Sequence, residues 1–151
     1  MQNPLRLFII FCLLIFGCLY YYAYQQDKHH SVNATVYIER AMQDISTWQP
    51  QSLWSHLASA AREKVSREQL ETVLSQYRRL GRFIDMDKPH FSMLTAALSV
   101  FGSGTQLSYS FPARFEQGSA LVTATLDVGD GSYRLYNFSI RHVEAAKVLP
   151  N

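Results

Sequence analysis

The sequence predicts an α+β fold in which an N-terminal transmembrane helix precedes a domain of about three helices packed on one bent antiparallel sheet. Three observations lead to this prediction. A long apolar run comes first, segments with apolar residues at helical spacing follow, and segments in which apolar and polar residues alternate come last. Helices that precede a block of consecutive strands are typical of α+β proteins.

The apolar run at 7–24, LFIIFCLLIFGCLYYYAY, contains no charged residue. As a helix it would rise about 27 Å, close to the hydrocarbon thickness of a bilayer. Arg6 precedes it, and because positive charge is retained on the cytoplasmic side, residues 1–6 are expected inside. Tyrosine rings favour the headgroup zone, which predicts an outer aromatic belt of Tyr20, Tyr21, Tyr22 and Tyr24. The rest of the chain is then periplasmic or otherwise extracytoplasmic, held by an anchor in the inner (cytoplasmic) membrane.

Two alternatives to an uncleaved anchor deliver the domain to the same side of the membrane. A cleaved signal peptide needs small residues at its cleavage site, and FGC and YYYAYQQ fit that need poorly. A bacterial lipoprotein needs a lipidated cysteine after a small-residue box; Gly17 precedes Cys18 as required, but Phe16 is bulky. In an uncleaved anchor, Cys12 and Cys18 are small apolar residues that face lipid.

Composition excludes several kinds of site. Both cysteines lie in the apolar run, so the rest of the chain holds neither a disulfide framework nor a cysteine zinc site. The formal net charge of +2 is too small to argue for a nucleic-acid partner. His29 and His30 lie in a predicted polar linker at 25–31 without a third ligand nearby, so we expect them to be solvated. The sequence contains no cofactor motif.

Three helices are predicted after the linker. The first spans 32–46, and the second begins at Pro50, a residue suited to a first helical position. The third begins at Ser66, which forms a capping box with Gln69, and it ends at Gly81. The apolar stripes are, in order, Ala34, Ile38, Ala41, Met42 and Ile45; Leu53, Trp54, Leu57, Ala58 and Ala61; and Leu70, Val73, Leu74 and Tyr77.

Three arginines, Arg78, Arg79 and Arg82, cluster where the third helix ends. Cations at a helix C-terminus interact favourably with the helix dipole, and this alone accounts for them. The alternative is a surface patch that binds anionic lipid or an acidic partner.

The remaining residues predict antiparallel sheet. Residues 82–87, RFIDMD, indicate a short strand, whereas 89–101 matches both a helix and a strand, with a slight preference for strand. Gly129 and Gly131 are the residues best able to adopt positive φ in the last turn. The long strands and turns that follow are 107–115, turn 116–118, 119–128, turn 129–131 and 133–140.

Two irregularities are expected within these strands. Pro112 cannot donate to a ladder, which predicts a position at an edge or a bulge. The alternation slips in phase beside Leu135 and Tyr136, which predicts a β-bulge there. The bulge would let Tyr136 and Phe138 pack against the first helix of the domain, near Ile38 and Met42.

The turn DVGDG at 127–131, Tyr133 directly after it and LYNFSI at 135–140 look like the final hairpin of a known kind of domain. With the helices first and the meander last, the pattern resembles the nuclear transport factor 2-like superfamily, also called cystatin-like. The resemblance implies a bent sheet wrapped around a helix to form a cone over residues 32–142, with 143–151 as a tail. Many members are small envelope domains behind a single anchor, with no known activity.

Some members of that superfamily are isomerases or dehydratases that place an Asp or a His in the cone. The candidates for such a role here are Asp85, Asp87 and His90, and the two carboxylates share one face of the predicted strand. Because Ile84 and Met86 supply the apolar face, the face with the carboxylates is expected to be solvated.

The expected function is that of a non-enzymatic protein-binding or assembly module, displayed outside the membrane by a single anchor, with a protein partner in the envelope or a small apolar ligand. The alternative is an enzyme or carrier that uses the cone cavity. No catalytic triad, phosphate loop or metal spacing occurs in the sequence. His56, opposite the apolar stripe of its helix, is expected to be a surface histidine.

Overall fold

The computed structural model describes residues 4–92, 104–129 and 131–142. They form an α+β fold with an apolar N-terminal helix and a curved antiparallel sheet, and these features agree with the prediction. Of the ambiguous segment 89–101, the strand β2 is described, and residues 93–101 lie outside the described ranges. The elements are α1 (Pro4–Ile45), α2 (Pro50–His56), α3 (Ser59–Arg62), α4 (Arg67–Tyr77), a 3₁₀ turn (Arg78–Leu80), β1 (Phe83–Met86), β2 (His90–Phe91), β3 (Thr105–Phe115), β4 (Gly118–Gly129) and β5 (Ser132–His142).

Helix α1 has two chemically different parts. Its first part, Pro4–Tyr22, is long and apolar enough to cross a membrane, with a mean hydropathy of 2.1, and none of it is buried in the protein. This is compatible with a transmembrane or signal-anchor helix. Its last part carries the predicted apolar stripe into the core, where each stripe residue is at most 2% exposed: Ala34, Ile38, Ala41, Met42 and Ile45.

Residues 25–31 are helical, so the polar segment predicted as a linker is part of the continuous helix α1. The segment QQDKHHS contains neither glycine nor proline, and Gln and Lys are good helix formers, so the helices on either side propagate through it. Local hydrogen bonds follow the helix: Gln25 Nε2 donates to Tyr21 Oη at 2.8 Å, and Thr35 Oγ1 donates to the Ser31 carbonyl at 2.6 Å. The division of the chain into an anchor and a domain is a separate matter and stays a prediction.

Helix α2 begins at Pro50 as predicted but is shorter than its apolar stripe. It ends at His56, and Leu57 and Ala58 adopt extended backbone. The cause lies in β5, because the Ala58 N–H donates to the Leu135 carbonyl at 2.8 Å and Leu57 forms a parallel bridge with Leu135. The chain therefore exchanges helical hydrogen bonds for sheet hydrogen bonds before α3 begins.

The predicted capping box of α4 is present. The Gln69 N–H donates to Ser66 Oγ at 3.2 Å, and the Ser66 N–H donates to Gln69 Oε1 at 2.9 Å. The chain leaves α4 through the 3₁₀ turn, after which Gly81 has a φ of +76°. A Cβ at Gly81 would lie 2.8 Å from Glu116 Oε2, so both the backbone conformation and the available space require glycine.

The sheet has the strand order β1–β3–β4–β5, and β2 also pairs with β3. The Pro112 carbonyl of β3 points away from β4. On that side it accepts a hydrogen bond from the Asp87 N–H at 2.9 Å. Pro112 lies between the residues of β3 that pair with β1 and those that pair with β2. No ladder hydrogen bond from an N–H is needed at this position, so proline is tolerated there. The predicted alternation is confirmed by the buried positions of β3 and β4: Leu107, Tyr109, Phe111, Ala113, Phe115, Ala120, Val122, Ala124 and Leu126.

The expected faces of β1 are partly wrong. Ile84, predicted to face the core, is 60% exposed, whereas Phe83 packs against the core. The pairing of β1 with β3 shifts in register between Phe83 and Asp85. Such an irregularity interrupts strict alternation, which places Phe83 and Met86 on the core side and leaves Ile84 in solvent.

The predicted bulge in β5 is present, and Tyr136 is its extra residue. Leu135 and Ile140 are consequently both buried. The expectation that Tyr136 packs against α1 is wrong, since its hydroxyl accepts a hydrogen bond from Lys64 Nζ at 2.7 Å. Phe138 is only partly buried and lines a groove formed by β5 and by the segment from α2 to the end of α4.

The turn between β4 and β5 requires positive φ at one of its two glycines. Gly131 has a φ of +73°. Gly129 pairs with Ser132 at the end of β4 and does not have a positive φ, so the prediction holds for Gly131 alone. Asp130 lies outside the described residues.

Candidate functional site

A groove of about 650 Å³ lies between α4 and β5, and we refer to it as the α4–β5 groove. A volume of this size is within the range of natural ligand pockets. Its apolar residues are Leu53, Leu57, Ala61, Val65, Leu70, Val73, Leu74, Tyr77 and Phe138, and its polar rim consists of Lys64, Glu68, Gln69, Thr72, Tyr136 and Asn137.

Two features of the sequence form this groove. In α4, Leu70 and Leu74 are buried, whereas Val73 beside them remains 43% exposed. In β5, the bulge at Tyr136 changes the phase of the strand, so that Phe138 lies on the core side of the sheet and lines the groove, partly buried. Exposed apolar side chains gathered in a concave surface are typical of binding sites.

The rim carries both signs of charge. Lys64 Nζ donates to the Tyr136 hydroxyl at 2.7 Å and lies 5.1 Å from the centre of its ring, and this hydrogen bond lowers the pKa of Tyr136. A backbone hydrogen bond and the Ser66 hydroxyl lower the pKa of Glu68, which keeps it ionised. The described residues of the groove thus offer an ammonium group and a carboxylate beside apolar walls, without a nucleophile and base in contact.

A second group of polar side chains, the histidine–tyrosine cluster, consists of His30, Tyr37, Asp44, His56 and Tyr133. His30 Nδ1 lies 2.8 Å from Tyr133 Oη, and Tyr37 Oη lies 3.3 Å from His56 Nδ1. His56 Nε2 lies 2.9 Å from Asp44 Oδ2, and the ring centres of Tyr37 and Tyr133 are 5.9 Å apart. The cluster therefore joins α1 to α2 and to β5.

His56 is not the surface histidine that its helical position predicts, because its side chain is only 14% exposed. Tyr37 and Asp44 lie two turns apart on α1 and hold both of its ring nitrogens. His30 also differs from the solvated histidine predicted, since it contacts Tyr133. The Tyr37 hydroxyl is additionally 3.3 Å from the His56 carbonyl. A structural role, holding α2 against α1, is sufficient to explain these contacts.

Burial raises the pKa of Tyr37 to about 12, against the opposing effect of nearby Arg134, from an ordinary value of 10.0. The unfolded chain therefore loses this phenol proton first, so the stability that Tyr37 contributes is present below about pH 10 and is lost as the pH rises through about 12. We expect a loss of about 1–2 kcal/mol, discounted for the partial exposure of the ring. Tyr37→Phe should remove this loss, as measured by urea unfolding on either side of that interval.

The control for this prediction is Tyr77→Phe, whose ring packs near Trp48. This variant should retain the alkaline loss of stability seen in the wild type. An equal loss in Tyr37→Phe and the wild type would contradict the assignment to Tyr37.

The three candidate catalytic residues lie in different surroundings. Asp85 forms a bidentate ion pair with Arg114 of β3, and the hydrogen bonds from that guanidinium lower the pKa of Asp85. Asp87 is exposed, and its N–H donates to the Pro112 carbonyl. His90 is exposed in β2 and lines another cavity, of about 600 Å³, with residues of α1. None of the three is among the residues that line the α4–β5 groove.

The three arginines of the proposed anionic patch, Arg78, Arg79 and Arg82, are all exposed. Arg78 Nη2 also donates to the Trp48 carbonyl at 3.5 Å, and the Arg82 N–H donates to Glu116 Oε2 at 3.0 Å. A carboxylate of the same chain thus already lies beside the cluster, and binding of lipid or an acidic partner stays a prediction.

The anchor residues are exposed on α1, as a lipid-facing helix would leave them. They are Arg6, Tyr20, Tyr21, Tyr22 and Tyr24, and Cys18 is exposed among them. Their roles as a charged inner end, an aromatic belt and a lipidation site remain predictions. Within the described ranges, no group of three or more His, Cys, Asp or Glu side chains could hold a metal ion.

Several groove residues carry little signal in the sequence. The apolar stripe of α4 predicts Leu70, Val73 and Leu74 simply as core. Lys64 and Tyr136 lie far apart in the chain, and nothing in either segment indicates that they meet. The one available signal is the position of Val73, at the border of its stripe beside the polar Thr72.

Comparison of the chain with family models, with curated proteins and with solved structures finds no match in any of the three.

Proposed function

We propose that this chain is a single-pass membrane protein whose extracytoplasmic domain binds a partner protein, without catalysis, through the α4–β5 groove. The observation that carries the proposal is the groove itself, in which Val73 and Phe138 are partly exposed beside buried residues such as Leu70. An apolar side chain that stays in water contributes nothing to the stability of the domain. An occupant that covers them gives this surface a function.

The continuity of α1 supports a location close to the membrane. Between Tyr22, where the apolar part ends, and Ala34, where the buried stripe begins, the helix rises about 18 Å. A helix of that length holds the groove near the bilayer surface more rigidly than an extended linker would. A partner in the envelope is the class of protein that such a position favours.

The proposed architecture includes a cone of the nuclear transport factor 2-like kind, in which the curved sheet wraps around the last part of α1. The long β3–β4–β5 meander, the bulge in β5 and the buried stripe of α1 support it. Side chains such as Phe111, Met42 and Leu126, each at most 1% exposed, fill the space between the sheet and the last part of α1, whereas the cavity at His90 lies beside an earlier part of α1. A filled interior favours a binding module over an isomerase-like enzyme.

The location is tested by labelling from outside the membrane. In a variant with Cys12 and Cys18 replaced by alanine, Val32→Cys places a thiol at a position that is 75% exposed. A membrane-impermeant maleimide should label it in intact cells, with any outer membrane permeabilised. Gln2→Cys in the same background should be labelled only after the cytoplasmic membrane is lysed. The reverse pattern would contradict the proposed orientation.

The binding function is tested with Val73→Asp. Because Val73 is 43% exposed, its replacement should change the free energy of unfolding by no more than about 0.5 kcal/mol. A carboxylate in the apolar groove should nevertheless reduce the recovery of the partner, purified with the full-length protein from its own membranes, by about tenfold or more.

The matched control is Ser75→Asp, at an exposed position of the same helix that does not line the groove. This variant should recover the same partner in the same amount as the wild type. Undiminished recovery with Val73→Asp would exclude the groove as the binding surface. Loss of a bound small molecule in place of a protein would indicate a carrier.

A further inference from the structure

We infer that the occupant of the α4–β5 groove is an extended segment of the partner protein, which adds to the open edge of β5 as a further strand of the sheet and carries a carboxylate opposite Arg141. This inference rests on the proposed function and specifies how the partner is held. Strand addition supplies backbone hydrogen bonds along the edge, while alternate side chains of the added strand enter pockets beneath it.

The direction of the backbone N–H and C=O groups in β5 follows from the pairing of residues across β3, β4 and β5. In antiparallel pairs, alternate residues direct both their N–H and their C=O to the same side. The Pro112 carbonyl accepts a hydrogen bond from Asp87, so Pro112 points away from β4. Its register partner Leu121 therefore points toward β5, where it faces Arg141 in a hydrogen-bonded pair.

The neighbouring residues of β5 must then point the other way. Ile140 and Phe138 direct their N–H and C=O groups away from β4, toward the edge of the sheet, because β5 is the last strand among the described residues. Leu135 gives an independent check, since its carbonyl accepts from the Ala58 N–H on that same side. Across the described part of the chain, no backbone group pairs with Phe138 or Ile140 at this edge.

The chain itself already uses the beginning of this edge as a strand-docking site. Leu57 and Ala58 leave the helical conformation and form a parallel bridge with Leu135. The open edge at Phe138 and Ile140 continues from that bridge, and Leu57 and Phe138 are both residues of the groove. An added strand thus finds backbone partners along β5 and an apolar groove beneath its inward-facing side chains.

Charge indicates the chemistry of the segment. The solvent-facing side of β5 carries Arg134 and Arg141, and no Asp or Glu lies between 132 and 142. Across the ladder, Arg134 faces Asp127, but Arg141 faces Leu121. An Asp or Glu of the added strand opposite Arg141 would complete a favourable cross-strand pair. A second copy of β5 would bring more arginines and no carboxylate, so charge favours a different chain as the occupant.

The test uses the full-length protein in lipid nanodiscs and a blocked ten-residue peptide of alternating valine and threonine with one central glutamate. Amide hydrogen exchange is followed residue by residue. In the free protein, the Phe138 and Ile140 amides should exchange at least about a hundredfold faster than those of Asn137 and Ser139, which bond to β4. Saturating peptide should slow Phe138 and Ile140 by about tenfold or more, while Asn137 and Ser139 change little.

The charge arm uses Arg141→Glu. This variant should bind the glutamate peptide about three- to tenfold more weakly, and a peptide with lysine in place of the glutamate should restore the affinity. Strong protection of Phe138 and Ile140 in the free protein would overturn the inference, because the edge would already be paired. Protection that depends on protein concentration would overturn it in favour of a second copy.

A failure of strand addition is distinguishable from a failure of the proposed function. If peptide at millimolar concentration leaves Phe138 and Ile140 unprotected while Val73→Asp still abolishes recovery of the partner, the groove binds a protein in another way and strand addition is wrong. If Val73→Asp has no effect on recovery either, the groove is not the binding surface and the proposed function fails with it.

Discussion

Replacing Phe111 by alanine should lower the free energy of unfolding by about 3–5 kcal/mol, the range for loss of a fully buried aromatic ring. Phe111 lies in the middle of β3, pairs in register with Val122 of β4 and is 0% exposed. The surrounding strands are fixed by their ladders, so the cavity left by the ring cannot collapse completely. Urea unfolding of the full-length protein in mild detergent, followed by tryptophan fluorescence, measures this difference.

Phe138→Ala is the matched control for this result. The side chain has the same chemistry, but it is only partly buried at the groove. We expect a loss of about 1–2 kcal/mol, in proportion to the smaller area removed from water. A greater loss for Phe138→Ala than for Phe111→Ala would mean that β5, and not β3, forms the centre of the core.

Trp48→Ala should have an effect of similar size, about 3–5 kcal/mol. Trp48 is 4% exposed, and its Nε1–H donates to the Gly81 carbonyl at 2.7 Å. Its ring packs near Phe115 and Tyr77, at 5.8 and 6.3 Å between ring centres. Trp48 thus connects the end of α1 to the end of α4 and to β3. The variant loses the hydrogen bond to Gly81 and the ring contacts with Phe115 and Tyr77.

The backbone of Trp48 adds a second consequence. Its φ of +56° is uncommon for a bulky residue and is retained because the surrounding contacts fix it. Trp48→Gly should therefore be less destabilising than Trp48→Ala, by about 1 kcal/mol, because glycine adopts this conformation without strain. Trp54→Ala is the control, since that ring is only half-buried against Arg62 and Arg67. Equal losses for Trp48→Ala and Trp54→Ala would contradict the role assigned to Trp48.

The parts of the fold that depend on local sequence could be predicted. The capping box of α4 needs only two side chains three residues apart. The bulge in β5 is visible as a change of phase beside Leu135 and Tyr136. The alternation in β3 and β4 fixes which side chains are buried, because a strand with one covered face leaves a single favourable orientation.

The parts that depend on distant contacts could not be predicted. Leu57 and Ala58 continue an apolar helical stripe, but they adopt extended backbone and pair with Leu135 of β5. His56 gives no sign in the sequence that Tyr37 and Asp44 enclose it. In each case a hydrogen bond between segments far apart in the chain overrides a local preference.

The polar composition of QQDKHHS at 25–31 predicts a linker but does not determine its backbone conformation, which is helical. Polarity indicates where side chains lie but does not exclude a helix, and a segment without glycine or proline between two helical segments has no residue that ends the helix.

The central claim, that the α4–β5 groove binds a partner protein, is tested most directly by site-specific cross-linking in the native membrane. A photoreactive amino acid is placed at Val73 in the groove and, in a matched variant, at Ser75 on the exposed side of the same helix. Illumination should join Val73 to one peptide of one partner protein, identified by mass spectrometry, and should give no such adduct from Ser75. Adducts of equal yield from both positions, or none from Val73, would contradict the claim.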